Sequence, residues 1–291
     1  MTILRVMHRT EYRYQRPVVL GPHRLMCRPR DSHDLRLLDT GITITPQPSE
    51  LRWMHDVFGN SIAIATFSDA AAELVFESTF RAEHFPLPER TLVIDDYAAT
   101  LPLSYSSSEA VDLGPSKARQ YADPEHQVDA WVKALLDKTG TGTLDVLMAM
   151  IAAIKSEFTY NRREEVGVQT PVETLALRAG SCRDFAVFMI EAVRFLGLAA
   201  QFVSGYLYDE ALIDAGGGLL GGGATHAWIQ VYLPGVGWVE FDPTNALVGG
   251  RNLIRVATAR EAAQAAPLVG SFTGTPGDFL ALNVTIEVAA E

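Results

Sequence analysis

The apolar residues of this chain follow two different periods, and the change between them limits the folds it can adopt. From the start to about Phe85, short alternating runs are separated by turn residues, as in antiparallel strands. From Asp123 onward the spacing becomes helical, for example from Leu144 to Phe158, and strand-like runs return from Ala200 to Tyr208 and from Thr225 to Leu233. We therefore predict an α+β chain, in which an N-terminal antiparallel β-sandwich precedes helices packed on an antiparallel sheet.

A segment rich in proline and serine separates the two patterns. Pro86, Pro88 and Pro102 interrupt regular structure, and the run from Ser104 to Ser108 has the composition of a linker. We place a β-rich domain at residues 1–100, a linker at 101–122 and a second domain, with a C-terminal strand, at 123–291. The length of 291 residues suits two domains. We expect the first domain to fold on its own.

Charge and composition exclude several classes of partner. The chain has 24 Lys and Arg residues against 35 Asp and Glu, a formal net charge of −11, which repels nucleic acid and anionic membranes. Charged residues interrupt the first segment before an apolar export signal can form, and no uncharged apolar run of about 18 residues follows. Two cysteines, Cys27 and Cys182, are too few for a disulfide framework. We expect a cytoplasmic protein.

Cys182 lies at the predicted start of a helix that ends at Gly197. Ser181 is a favourable N-cap, and a glycine is a favourable C-terminal stop. The unpaired N–H groups of a helix N-terminus stabilise an anion, so this thiol is placed to ionise and act as a nucleophile. A buried core cysteine is the competing interpretation, because Phe185 and Met189 share its helical face.

A hairpin from Ala224 to Pro243 carries a titratable residue near each end. If its turn centres on Pro234, His226 and Asp242 lie directly opposite each other, and a one-residue change in the loop would offset this register but still allow a diagonal contact. A carboxylate beside one imidazole nitrogen fixes the tautomer and leaves the other nitrogen to take a thiol proton. Taken singly, a strand histidine and a turn aspartate have ordinary structural explanations. On the residues alone, both interpretations stay open.

Three segments closely resemble the catalytic blocks of the bacterial transglutaminase-like superfamily: Gly180 to Ala186, Thr225 to Trp228, and Gly237 to Asn245. The resemblance implies a catalytic triad of Cys182, His226 and Asp242 in a papain-like core. Asp56 to Asn60 also resembles a signature of the β-rich domain that precedes this core in many bacterial members. The chain is thus expected to carry both parts.

The resemblance implies thiol-dependent acyl transfer or hydrolysis on the amide bonds of a peptide, protein or small amide, through a thioester. Water as the acceptor would make the protein a protease or amidase, which the acidic charge favours slightly, and an amine would make it a transglutaminase. No cofactor or metal is expected, because the histidines have no paired spacing and no calcium-loop motif occurs. The alternative is a catalytically silent binding or scaffold protein with the same fold.

Two further features concern the reaction site. The backbone N–H of Cys182 is the first candidate for an oxyanion-hole donor, and Tyr160 or Gln169 could supply a second, although a core tyrosine and a solvated glutamine are the more ordinary explanations. The run from Gly216 to Gly221 matches a dinucleotide-binding sequence motif but not its structural context. Because a strand follows it instead of a helix, we interpret it as a loop.

Overall fold

The N-terminal part of the protein is a sandwich of two antiparallel sheets. The computed structural model describes residues 2–85, 92–163, 167–208, 224–250 and 252–291. Six strands come first: β1 (Thr2–Leu20), β2 (His23–Arg28), β3 (Leu35–Thr45), β4 (Glu50–His55), β5 (Ser61–Thr66) and β6 (Ala71–His84). β6 lies between β1 and β3 in one sheet, and β5 lies between β2 and β4 in the other. Side chains of both sheets meet in one apolar cluster that includes Leu25, Ala63 and Phe76.

Helices occupy the middle of the chain: α1 (Ser107–Asp112), α2 (Gly114–Lys117), α3 (Gln127–Thr139), α4 (Thr143–Glu157), α5 (Pro171–Leu177) and α6 (Cys182–Phe195). Two short parallel strands, β7 (Thr159–Tyr160) and β8 (Ala179–Gly180), join the end of α4 to the start of α6. α6 is buried along almost its whole length. It is the central helix, as its apolar sequence predicts.

A five-stranded antiparallel sheet covers α6. Its strands are β9 (Ala200–Leu207), β10 (Thr225–Leu233), β11 (Gly237–Asp242), β12 (Leu247–Val248) and β13 (Leu253–Ala259), in the order β12-β11-β10-β9-β13. Ala227, Ile229 and Val231 of β10 share a buried cluster with Phe185 and Met189 of α6. Helices packed on an antiparallel sheet confirm the predicted fold class.

The last strands return to the N-terminal sheets. β14 (Leu268–Val269) pairs with β2, and both β15 (Phe272–Thr273) and β16 (Phe279–Ala290) pair with β1. The β16 register brings Ala290 opposite Leu4. The C-terminal strand was predicted to belong with residues 123–291, whereas its hydrogen bonds go to the first strand of the chain.

The segment 101–122 differs from the linker that its composition suggested. It contains α1 and α2, and Leu101, Leu103, Tyr105 and Leu113 are buried in the helical core. Pro86 and Pro88 lie outside the described residues. The described residues of this segment therefore do not form a linker without regular structure. The division into three parts stays a prediction.

The turn that follows β4 docks the sandwich onto the second sheet. Asn60 accepts a hydrogen bond from the Thr258 N–H at 2.9 Å and donates one to the Thr258 carbonyl at 2.7 Å. Asp56 holds this side chain in place by accepting from Asn60 Nδ2 at 2.8 Å. The segment that resembled a family signature is therefore an interface between the two parts. None of the helices within the described residues is long and apolar enough to cross a membrane.

Candidate active site

Cys182 is the first residue of α6, as predicted, and its side chain is largely buried, with 7% of its surface exposed. The start of the helix is fixed by the carboxylate of Asp184. Asp184 Oδ2 accepts hydrogen bonds from the N–H and the hydroxyl of Ser181, both at 2.8 Å. The N–H of Cys182 belongs to the first turn and so has no partner four residues back in the helix. The thiol is thus held at a helix N-terminus.

Asp184 also ties two neighbouring segments to this helix start. Its Oδ1 accepts from the Gln169 N–H at 2.7 Å and from Arg163 at 2.8 Å. Burial raises the pKa of Asp184, but the hydrogen bonds from Ser181, Gln169 and Arg163 lower it more, so the group stays charged. This role of Asp184 was not predicted from the sequence. The signal was an acidic residue three positions after a serine N-cap, which is the spacing of a capping box.

His226 and Asp242 meet, although not in the register that the sequence predicted. β10 and β11 are joined by the loop Pro234 to Val236, and Ile229 pairs with Phe241. Continuing this register puts Asp242 opposite Trp228, two residues away from His226. The direct pairing was wrong because the loop centres on Gly235, whose φ is +89°, and not on Pro234. A shift of two residues keeps both side chains on the same face of the sheet.

The His226–Asp242 contact is short and fully buried. His226 Nε2 lies 2.8 Å from Asp242 Oδ2, with 1% of His226 and 0% of Asp242 exposed. Asp242 Oδ2 also accepts from Asn245 Nδ2 at 2.8 Å, and Oδ1 accepts from the Thr244 N–H at 2.9 Å. Burial raises the pKa of Asp242, but His226 and these donors lower it more. Asp242 is therefore an ionised acceptor.

The second nitrogen of His226 is left for the thiol. His226 Nδ1 is buried without a hydrogen bond of standard geometry, while Nε2 is bound to Asp242. Burial lowers the pKa of His226, but Asp242 and Cys182 raise it to about 10 overall. The ring stacks on Trp228, with 5.8 Å between ring centres and 28° between planes. The three residues that the sequence selected are thus brought together.

Of the two candidates for a second oxyanion donor, Tyr160 pairs with the segment just before Cys182. It is opposite Gly180 in the β7–β8 pair, and its ring packs against the buried cluster that includes Cys182. Burial raises the pKa of Tyr160, and the charges of Cys182 and Asp242 contribute to the same shift. Gln169 instead uses its Oε1 to accept from Thr174 at 3.1 Å.

The described residues contain no group of three or more His, Cys, Asp or Glu side chains that could hold a metal ion. The glycine run from Gly216 to Gly221 lies outside the described residues, so its interpretation as a loop stays a prediction. Trp228 and Asn245 were not selected from the sequence. Asn245 could have been found, because an asparagine three residues after an aspartate is well placed to fold back on it.

Comparison with known proteins gives two family matches along the chain. Residues 4–83 match the bacterial transglutaminase-like N-terminal region, and residues 129–243 match the transglutaminase-like superfamily. The uncharacterized protein Rv2569c of Mycobacterium tuberculosis is 30% identical, over 98% of this chain and 91% of that protein. The uncharacterized protein ML0607 of Mycobacterium leprae is 24% identical, over 98% of both chains.

One solved structure covers almost the whole chain. It is a protein of Cytophaga hutchinsonii described as a candidate cysteine protease, with a TM-score of 0.72 and 20% identity, over 99% of this chain and 90% of that one. At this identity the likeness establishes the fold alone. Together with the two family matches and the mycobacterial relative, it shows that the chain belongs to the transglutaminase-like superfamily and carries the bacterial N-terminal region of that family.

Proposed function

We propose that this protein is a thiol-dependent acyltransferase or hydrolase that acts on amide bonds, with Cys182 as nucleophile, His226 as acid and base, and Asp242 as the residue that orients the imidazole. One observation carries the proposal. His226 has Nε2 bound to a buried carboxylate and Nδ1 without a hydrogen bond of standard geometry, and Cys182 at a helix N-terminus interacts with its ring and raises its pKa. An imidazolium so placed stabilises a thiolate.

The reaction follows from these positions. The Cys182 thiolate attacks the amide carbonyl carbon, forming a C–S bond and a tetrahedral oxyanion. His226 gives its Nδ1 proton to the leaving nitrogen as the C–N bond breaks, which leaves a thioester. Water or an amine then attacks the thioester, His226 takes the proton of this second nucleophile, and the thiolate departs. Hydrolysis and transamidation differ only in the acceptor.

The oxyanion needs donors that are already in place. The backbone N–H of Cys182 at the start of α6 is the first, and we propose the Tyr160 hydroxyl as the second. Its support is the backbone pairing of Tyr160 with Gly180, two residues before the nucleophile, and the packing of its ring on the cluster that contains Cys182. Gln169 is the alternative candidate: Thr174 donates to its Oε1, and the donor to an oxyanion would be its Nε2.

The test measures the thiol first and turnover second. The protein is treated with iodoacetamide at neutral pH, and mass spectrometry follows alkylation of Cys182 and Cys27 separately. Cys27 is a matched internal control, because burial raises its pKa to about 12. We expect Cys182 to react far faster. Equal rates would contradict the proposal and favour a silent binding protein.

Turnover is then sought with two probes. A diverse peptide mixture reveals hydrolysis, and a casein with dansylcadaverine reveals transfer to an amine. We expect new peptide termini or dansyl incorporation that the Cys182→Ala variant does not produce. The probe that reacts identifies the acceptor.

A further inference from the structure

A continuous set of side chains leads from the catalytic histidine to the N-terminal sandwich. Arg255 of β13 is its centre. One guanidinium nitrogen donates to both carboxylate oxygens of Asp34, at 3.1 and 2.9 Å, and another donates to Glu240 at 3.0 Å. Asp34 stands just before β3, whereas Glu240 lies in β11, a strand of the hairpin that carries His226 and Asp242. A single side chain thus bridges the two parts of the protein.

Strand register relates Arg255 to His226. Arg255 lies opposite Gly205 of β9, and Gly205 lies opposite His226 of β10. The three residues form one row across the sheet, and Gly205 leaves the middle of that row without a side chain. The Ile254 carbonyl and the ring of Trp228 fill this place, because a Cβ at Gly205 would lie 2.1 Å from the carbonyl oxygen and 2.7 Å from Trp228 Cη2. Arg255 and His226 are therefore at opposite ends of a row that Trp228 covers.

Glu240 connects Arg255 to this ring. Glu240 is opposite Gln230, so it is a diagonal neighbour of Trp228 on the same face. Both side chains are buried, and burial raises the pKa of Glu240, while Arg255 and the indole N–H of Trp228 act in the opposite direction. A Cβ at Gly250 would lie 2.2 Å from Glu240 Oε2. Glu240, Arg255 and Asp34 also line a shared cavity, and Glu240 is linked to Trp228 by their diagonal positions in the sheet.

We propose that Arg255 is a positioning residue for His226, and that Asp34 gives the N-terminal sandwich a part in holding the catalytic imidazole. The inference rests on the acyl-transfer function proposed above. Arg255 touches no reacting atom. It fixes Glu240, Glu240 and the sheet fix Trp228, and the stacked indole fixes the plane of the His226 ring against Asp242. In this arrangement the sandwich is part of the catalytic apparatus.

The experiment compares Asp34→Asn with a matched control, Glu77→Gln, in the full chain. Glu77 pairs with Arg9 at 3.2 Å within the sandwich and is not part of the set that reaches the site. The rate of Cys182 alkylation by iodoacetamide is measured against pH, together with thermal stability. We expect Asp34→Asn to slow alkylation at pH 7 by about 3- to 30-fold, the usual range for coupling through packed side chains. Glu77→Gln should match wild type.

The pH profile separates positioning from general loosening. Loss of the Asp34 charge leaves Arg255 less neutralised, so His226 should release its proton at a lower pH and the high-pH step of the profile should move down. The other titratable groups that interact with Asp34 or Arg255 are Glu240, His33 and His84, and none of these residues is replaced in the variants. Asp34→Glu, which keeps the charge, should recover most of the rate.

A second variant tests the same inference in case Asp34→Asn impairs folding. Arg255→Lys keeps a positive charge but cannot bridge two carboxylates with one planar group, so it should slow alkylation as Asp34→Asn does. Wild-type rates and profiles in both variants, or equal losses in Glu77→Gln, would overturn the inference and leave the proposed function standing. If wild-type Cys182 reacts no faster than Cys27, the proposed function fails and the inference fails with it.

Discussion

His226 reaches Asp242 diagonally across the β10–β11 hairpin, with 2.8 Å between Nε2 and Oδ2. A diagonal pair in a sheet is further apart at the backbone than a direct pair, so this contact depends on how each side chain is held. Trp228 stacks on the histidine, and Thr244 and Asn245 donate to the aspartate. Both partners are thus oriented by neighbours in addition to each other.

Asp242→Asn should reduce turnover by about one to three orders of magnitude. An amide at this position can present an N–H group to His226 or to Asn245, so at least one donor loses its acceptor. The pKa of His226 should fall, because Asp242 raises it in the wild type. Loss of this buried acceptor should also lower the free energy of unfolding by about 1–3 kcal/mol, which replacing a simple turn residue would not do. Kinetics and thermal melting of the purified variant check both effects, and wild-type values of rate and pH profile would remove Asp242 from the site.

The stability of the protein should fall as pH rises from neutral to about 10. The pKa of His226 is about 10 in the folded protein against an ordinary 6.5, so the folded state keeps a proton that the unfolded chain releases in that window. The stabilisation is complete below pH 6.5 and is lost as pH rises through about 10. Melting temperatures of wild type and His226→Gln between pH 6 and 10 test this. Parallel curves would contradict it.

Cys182→Ala should abolish acyl transfer and leave the fold intact. The side chain lies in the first turn of α6, and Asp184 fixes that turn through Ser181 without help from the thiol. The matched variant Cys27→Ala removes a buried thiol of β2 and should retain full activity. Circular dichroism confirms folding in both variants. Turnover in Cys182→Ala on any substrate of the wild type would refute the assignment.

Tyr160→Phe should lower kcat by about 10- to 100-fold with little change in KM, since a hydroxyl that stabilises the oxyanion acts in the transition state. Gln169→Leu is the companion variant and should have a smaller effect on kcat. The reverse order, with Gln169→Leu the more damaging, would transfer the donor role to Gln169. Thermal melting identifies any loss that is due to folding.

Residues 1–100 should not fold when produced alone, because β1 would lose its partner β16 along most of its length. The same fragment joined through a flexible linker to residues 268–291 regains β14, β15 and β16 and should melt cooperatively. Circular dichroism and hydrogen exchange distinguish the two fragments. A cooperative transition in the bare fragment would restore the independent domain that the sequence suggested.

Local patterns predicted the parts of the structure that are local. The start of α6 at Cys182 and the strand Thr225–Leu233 follow from a cap, a change of period and turn residues. The hairpin register was missed by two residues, because loop geometry depends on which glycine takes a positive φ. Pairing of β16 with β1 could not be predicted, since no local pattern specifies a partner strand more than two hundred residues away.

The site was predicted to the extent that it repeats a sequence pattern. Cys182, His226 and Asp242 stand in recognisable segments, and the structure brings them together. Arg255 lies in no recognisable sequence segment. Its proposed role depends on the row that it shares with Gly205 and His226 and on its contact with Asp34. Such relationships exist only after the strands have been assembled.

The pairing of Leu4 with Ala290 sets an order of events during synthesis. The first strand leaves the ribosome long before its neighbour β16 is synthesised. One edge of β1 therefore stays unpaired while the helices and the second sheet are made. An edge of this kind is open to mispairing with other chains. Because Asp34 of the sandwich holds Arg255, which follows His226 in the chain, Cys182 and His226 are synthesised before the scaffold around them is complete. Full reactivity of the thiol is therefore expected only after the last strand has closed the sheet.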